Sequence, residues 1–285
     1  MTTVLKNLLR LVLLGTLAAG AQAPAAAAEA AVARLPGKFV WFNLATPDAA
    51  GAKAFYGAVF GWEFSGPAAG VKYTVIAHAG RDLGAIVVPA DPAKARGARW
   101  ISLLSVADSA AAVQQATQHG GTVLIPPTKV AGRGTHALLR DADGALFGLL
   151  QSSGDDPTDQ LDTNEFFWAD LLTRDPAKAA DFYRAVAGYE VSQSHLGKGI
   201  DRVVLSAGGV KRAGIAPLPK EMQQAGWLPY VVVDDVAATL ALVAKAGGRV
   251  LLAPSAELLD GNLAVLADPA GGVLGIVKWT PSEKN

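Results

Sequence analysis

Two pairs of side chains raise the question of chemistry. Trp41 and Asn43 lie in "WFNLATPDAAGAKAFYGAVFGWEF", Trp168 and Asp170 in "WADLLTRDPAKAADFYRAVAGYEV"; the stretches start 127 residues apart and agree at twelve of 24 positions. Alternation along a strand puts both members of a pair on one face. Each pair then offers an indole wall beside one polar group, the usual make-up of a small-molecule site. Two readings stand: the indoles line an open cleft, or they fill it as core. Asp170 has the chemistry of a base or a metal ligand, and equally that of a structural hydrogen-bond acceptor. His136, matched by Leu263 in the second copy, has the chemistry of a general base near neutral pH, against the plainer reading of a satisfied or exposed histidine. His78, His119 and His195 fall near turns or a helix end and read as solvated. No histidine pair has metal-ligand spacing. With no cysteine in the chain, thiolate sites and disulfides drop out. No G-x-S-x-G elbow, phosphate-binding loop or S-x-x-K motif occurs.

The elements that position these residues repeat throughout. Trp100 recurs as Trp227, Asp108 as Asp235, Gly120 and Gly121 as Gly247 and Gly248, Pro127 as Pro254, Asp141 as Asp268 and Gly144 as Gly271, all at the same offset. Val40, Phe42 and Leu44 mark one strand face. Asp48 then caps a helix with Phe55, Tyr56, Val59 and Phe60 on its apolar stripe and Gly61 at its stop; Asp175 followed by Pro176 says the same of the second copy. Phe182 and Tyr183 hold that copy's stripe, and Trp100 and Trp227 fall on the helix side of their strands. Strand-like "KYTVIAHA" and "LGAIVVP" follow, and the order begins again with "RWISLLSV", the helix "DSAAAVQQATQHGG", "TVLIPP", "THALLRD" and "ALFGLLQ". Each copy is thus a pair of β-α-β-β-β units, four in all. The register slips only where "LGAIVVP" matches "AGIAP".

The stretch "AFYGAVFGWEF", the strand "GGTVLIPP" and the turns "DADGALFGLL" and "DPAGGVLGIV" together resemble the vicinal oxygen chelate superfamily of glyoxalases, extradiol dioxygenases and bleomycin or fosfomycin resistance proteins. The resemblance implies an α+β fold of tandem domains, each curling its sheet around a cleft where many members chelate a divalent metal. It also implies three ligand positions per domain. These fall on Trp41, Ile101 and Gly148, and on Trp168, Leu228 and Gly275. None has an imidazole or carboxylate donor, so the expectation is no metal and no cofactor.

Composition and termini bound the rest. Twenty-five basic residues balance 25 acidic ones, which leaves no net field to gather nucleic acid. Lys6 and Arg10 precede an apolar run, Leu11 to Ala21, and then "AQAPAAAAEA". That order reads as a secretory signal cleaved after Ala28, with an uncleaved anchor or an Ala-rich leader as the plainer alternatives. The expected organisation is a signal over 1–28, an extension over 29–37, domains over 38–151 and 165–279 joined by a linker over 152–164, and a tail over 280–285. The expected protein is exported, periplasmic or secreted, free of the membrane once mature, and binds a small, partly apolar molecule through Trp41, Asn43, Trp168 and Asp170. One alternative is a metal-dependent lyase or dioxygenase with nonstandard ligands such as Asp170 and His136. The other is a structural or interaction protein with filled clefts.

Overall fold

The computed structural model describes residues 32–66, 73–95, 97–160, 162–196, 200–220 and 222–279. The leader and the tail expected from the sequence lie outside them.

The first half runs β1 (Phe39–Ala45), α1 (Ala49–Phe60), β2 (Glu63–Ser65), β3 (Tyr73–His78), β4 (Arg81–Val87), β5 (Arg99–Ser105), α2 (Ser109–Gln118), β6 (Thr122–Val130), β7 (Gly134–Arg140) and β8 (Leu146–Ser152). The second runs β9 (Phe166–Thr173), α3 (Pro176–Ala187), β10 (Glu190–Leu196), β11 (Ile200–Ala207), β12 (Val210–Pro217), β13 (Gly226–Val232), α4 (Val236–Lys245), β14 (Arg249–Leu252), β15 (Leu263–Ala267) and β16 (Val273–Val277). Each half forms one eight-stranded sheet, ordered β2-β3-β4-β1-β5-β8-β7-β6 and β10-β11-β12-β9-β13-β16-β15-β14. Within a half the two modules meet at an antiparallel central pair, β1 with β5 and β9 with β13.

Local chemistry sets the elements. Asp48, Asp108, Asp175 and Asp235 each accept a backbone N–H in the first turn of their helices, which satisfies donors that would otherwise lack partners. Gly61 and Gly188 end α1 and α3 at φ of 68° and 69°, a left-handed turn that glycine takes without steric cost. β6 continues through Pro126 and Pro127 to Val130, beyond the "TVLIPP" read from sequence. It is an edge strand, where a missing N–H breaks no ladder.

The helix-bearing faces of both sheets share a single core. Phe42 stacks on Phe166 at 4.0 Å between ring centroids, and Phe39 meets the edge of Trp227 at 4.7 Å. Tyr56 of α1 donates to Asp268 at 2.9 Å and accepts from Trp100 at 3.0 Å. Tyr183 of α3 donates to Asp141 at 3.0 Å and accepts from Trp227 at 2.8 Å. Each half therefore sends a tyrosine into the turn that closes the other half. Burial pushes the Asp141 carboxyl up, opposed by hydrogen bonds from Ala145, Tyr183 and Asp143.

Candidate functional site

The opposite sheet faces carry the side chains singled out in the sequence. Register aligns Trp41 with Leu103, Leu103 with Gly148 and Gly148 with Leu138 across the first sheet. The corresponding row of the second is Trp168, Tyr230, Gly275 and Val265. One step along the strands, Asn43 lies between Ala85 and Ile101, and Asp170 between Gly214 and Leu228.

The two faces have diverged. In the first, Trp41 is only 3% exposed and clusters with Ala85, Leu103 and Leu150. Its Nε1 donates to Asn43 Oδ1 at 2.9 Å. The Arg133 guanidinium lies 3.6 Å from the indole centroid and is held by Asp82 at 2.9 Å. A stacked cation tied to a carboxylate closes over the indole. In this half the filled reading is the one the packing favours.

The second face is polar at its centre. Trp168 is half-buried, and its Nε1 donates to Asp170 Oδ1 at 2.8 Å. Arg202 Nη1 lies 3.5 Å from the same oxygen, and its Cζ is 5.2 Å from the indole centroid. The Tyr230 hydroxyl also hydrogen-bonds the Asp170 carboxyl. Burial drives that carboxyl above its ordinary range, while the Arg202 charge and the bonds from Trp168 and Tyr230 pull it back. Gly214 makes this possible, because a Cβ there would fall 2.0 Å from Asp170 Oδ1. The first half has Ala85 in that register, opposite Asn43.

A cavity of about 870 Å³ takes in Trp41 and Arg133 from the first half and Trp168, Asp170, Arg202 and Tyr230 from the second. The segment between the sheets forms part of its wall. Asp156 accepts from Ser105 and Ser152 at 2.5 Å each and from the Leu35 amide at 2.7 Å. Asp159 pairs with Lys38 at 3.1 Å and also with Arg212.

Neither row presents the side-chain donors that a divalent ion takes. A Cβ at Gly148 would lie 2.6 Å from Leu103 Cγ, and one at Gly275 2.2 Å from the Tyr230 ring. Leu103 and Tyr230 thus occupy the space that a ligand side chain at those positions would need. Ile101 and Leu228 have no lone pair to offer, and an indole N–H only donates. Among the described residues no three of His, Cys, Asp and Glu gather as a metal site.

His136 stays apart from Asp170. It lies on β7 opposite Leu150 and is not among the cavity-lining residues. Burial, then the Arg133 charge, lower its pKa to about 4, so the imidazole is neutral at pH 7. Sequence reasoning missed Arg202, Tyr230 and Arg133. Tyr230 was findable, since Leu103 stands at its repeat position and the exchange of Leu for Tyr brings a hydroxyl to one cleft only. Arg202 stands on β11, ahead of the segment where the register slips.

Residues 38–149 match the family model of the Glyoxalase/Bleomycin resistance protein/Dioxygenase superfamily, and residues 159–277 that of the glyoxalase-like domain. The Mycobacterium tuberculosis protein named "Putative glyoxylase CFP32" is 32% identical over 249 residues, covering 85% of this chain and 95% of that protein. Anthracycline biosynthesis protein DnrV of Streptomyces peucetius is 28% identical over 260 residues, covering 85% of this chain and 94% of its own. The Mn(II)-bound glyoxalase of Novosphingobium aromaticivorans superposes with a TM-score of 0.57 at 18% identity, over 87% of this chain and 82% of that one. The 2,2',3-trihydroxybiphenyl 1,2-dioxygenase of Sphingomonas wittichii strain RW1 gives 0.57 at 15% identity, over 87% and 91%. At such identities the structures speak for the fold alone.

Proposed function

This chain belongs to the glyoxalase/bleomycin resistance protein/dioxygenase superfamily, and within it we propose a metal-free binder of a small, partly apolar molecule, held where the second sheet face meets the cavity. The observation that carries the reading is the group formed by Trp168, Tyr230, Asp170 and Arg202: two aromatic surfaces and two charged groups converge on a space large enough for an organic ligand. Relatives named for glyoxylase and for anthracycline biosynthesis support a small organic ligand. The first cleft, filled by Trp41 and covered by Arg133, serves stability.

A thermal-shift screen of small organic compounds on the purified chain tests the reading. A hit is expected to lose about 2 kcal/mol or more of binding on Trp168→Ala, as aromatic anchors do, while the variant still unfolds cooperatively. A screen without hits, or hits indifferent to Trp168→Ala, overturns it. We also infer export, from the order of basic, apolar and small residues over 1–28. Mass spectrometry of the exported fraction is expected to find Glu29 as the first residue; an intact Met1 terminus in the membrane fraction refutes this.

A further inference from the structure

The cavity arginines share an unmet need. Among the described residues, five buried side-chain polar atoms have no hydrogen-bond partner: Ser102 Oγ, His136 Nε2, and the Nε atoms of Arg133, Arg202 and Arg212. All three arginines line the cavity. Each is fastened by a terminal nitrogen to a carboxylate, Asp82, Asp170 or Asp159, which leaves its Nε hydrogen without an acceptor. Guanidinium cannot shed a proton to escape this, because it is donor-only and always charged. A buried donor of this kind carries a desolvation penalty until an acceptor arrives.

The three differ in how well their charge is met. Arg133 has a carboxylate at 2.9 Å and an aromatic face beneath it. Arg212 shares Asp159 with Lys38. Arg202 has the weakest partner: Asp170 stands 3.5 Å away and also accepts from Trp168 and Tyr230. Burial further disfavours the charged form of that carboxyl. The cation with most charge left over is thus the one beside the half-buried indole.

We propose that the cavity ligand is an organic anion, its carboxylate or phenolate oxygen paired with the Arg202 guanidinium and its apolar body against Trp168 and Tyr230. This rests on the ligand-binding reading above and goes further by fixing the ligand's charge. A neutral carbonyl would meet the geometry, but only an anion adds a charge-assisted bond where the resident carboxylate leaves the cation underpaired.

Calorimetric titration of the full chain with 2-naphthoate and with its neutral isostere 2-naphthamide tests it. The acid is expected to bind about tenfold or more tighter than the amide, the scale of one charge-assisted bond. Arg202→Met is expected to erase that preference by weakening the acid about tenfold more than the amide. Should Arg202→Met fail to fold, Asp170→Asn gives a second reading: losing the competing carboxylate is expected to tighten the acid severalfold relative to the amide, and an unchanged acid-to-amide ratio overturns the proposal. Equal binding of acid and amide, or a preference that survives Arg202→Met, overturns the anion proposal and leaves the ligand-binding reading standing. If neither naphthyl compound binds, the screen hits decide: anionic hits dependent on Arg202 sustain the proposal, neutral hits overturn it, and no hits at all fell both readings.

Discussion

Gly275→Ala tests whether an aromatic ring has taken the place of a ligand side chain. The new methyl would sit 2.2 Å from Tyr230 Cδ1 and 2.3 Å from Cε1, well inside contact distance. The ring cannot yield freely: it is 7% exposed and its hydroxyl is bonded to Asp170. Overpacking of this kind destabilises by about 1–3 kcal/mol. Gly275 lies within β16 without a positive φ, so the reduced freedom of the unfolded chain returns about 0.4–1 kcal/mol. The net expectation is a loss of about 1–2 kcal/mol. Urea unfolding of wild type, Gly275→Ala, Tyr230→Ala and the double variant separates the terms. Because the methyl enters space that the ring vacates, the double variant should be more stable than the two losses predict by about 1 kcal/mol or more. Additivity within about 0.5 kcal/mol, or a stabilising Gly275→Ala, would refute the reasoning.

Other expectations follow from the same geometry. Trp41→Ala should lower stability by about 3–5 kcal/mol, as for a large core side chain, and leave the affinity of a screened ligand within about twofold, well under the loss of one hot-spot anchor; weakened binding with little loss of stability would show an open first cleft. Protein purified without a metal-binding tag and equilibrated with Zn²⁺, Mn²⁺, Fe²⁺ or Ni²⁺ should keep well under one equivalent per chain after dialysis, roughly as expected where three donors are lacking, and chelator should not move its Tm; one retained equivalent, lost on Asp170→Ala, would reverse the metal-free reading. Tyr56→Phe and Tyr183→Phe should each lose about 1–3 kcal/mol by leaving Asp268 or Asp141 short of a buried donor, and a neutral effect at both would show that the crossings carry no stability. Asp170 holds its proton more tightly folded than unfolded, since burial raises it above the ordinary 3.8. Wild type should therefore lose stability as pH rises from about 3.8 through the raised folded value and then level off, whereas Asp170→Asn should lack that component; identical pH slopes would count against it.

The repeat made the fold legible. Periodicity, capping aspartates and terminal glycines are local signals, and the structure places Asp48, Asp175 and Gly61 where those signals put them. Strand order is not a local signal: the resemblance implied paired modules around a cleft, and the order itself is set by the pairing seen in the structure. The site was half legible. Alternation placed Trp41 with Asn43 and Trp168 with Asp170, and each indole does bond to its neighbour two residues on. Whether a given indole is covered depends on a residue far along the chain: Arg133 for Trp41, Arg202 for Trp168. No spacing rule reaches that far.

The tyrosines that cross between the halves bear on how such a chain can change over generations. Tyr56 completes the turn at Asp268 and Tyr183 the turn at Asp141, so the arrangement is that of a symmetric dimer written into one polypeptide. In a true homodimer every mutation strikes both sites at once. A single chain is free of that constraint: one half carries Trp41 beneath a stacked arginine, while the other presents a carboxylate and a cation to the cavity. Two separately expressed halves, cut between β8 and β9, should accordingly seek each other out, because neither carries the partner for its own buried tyrosine.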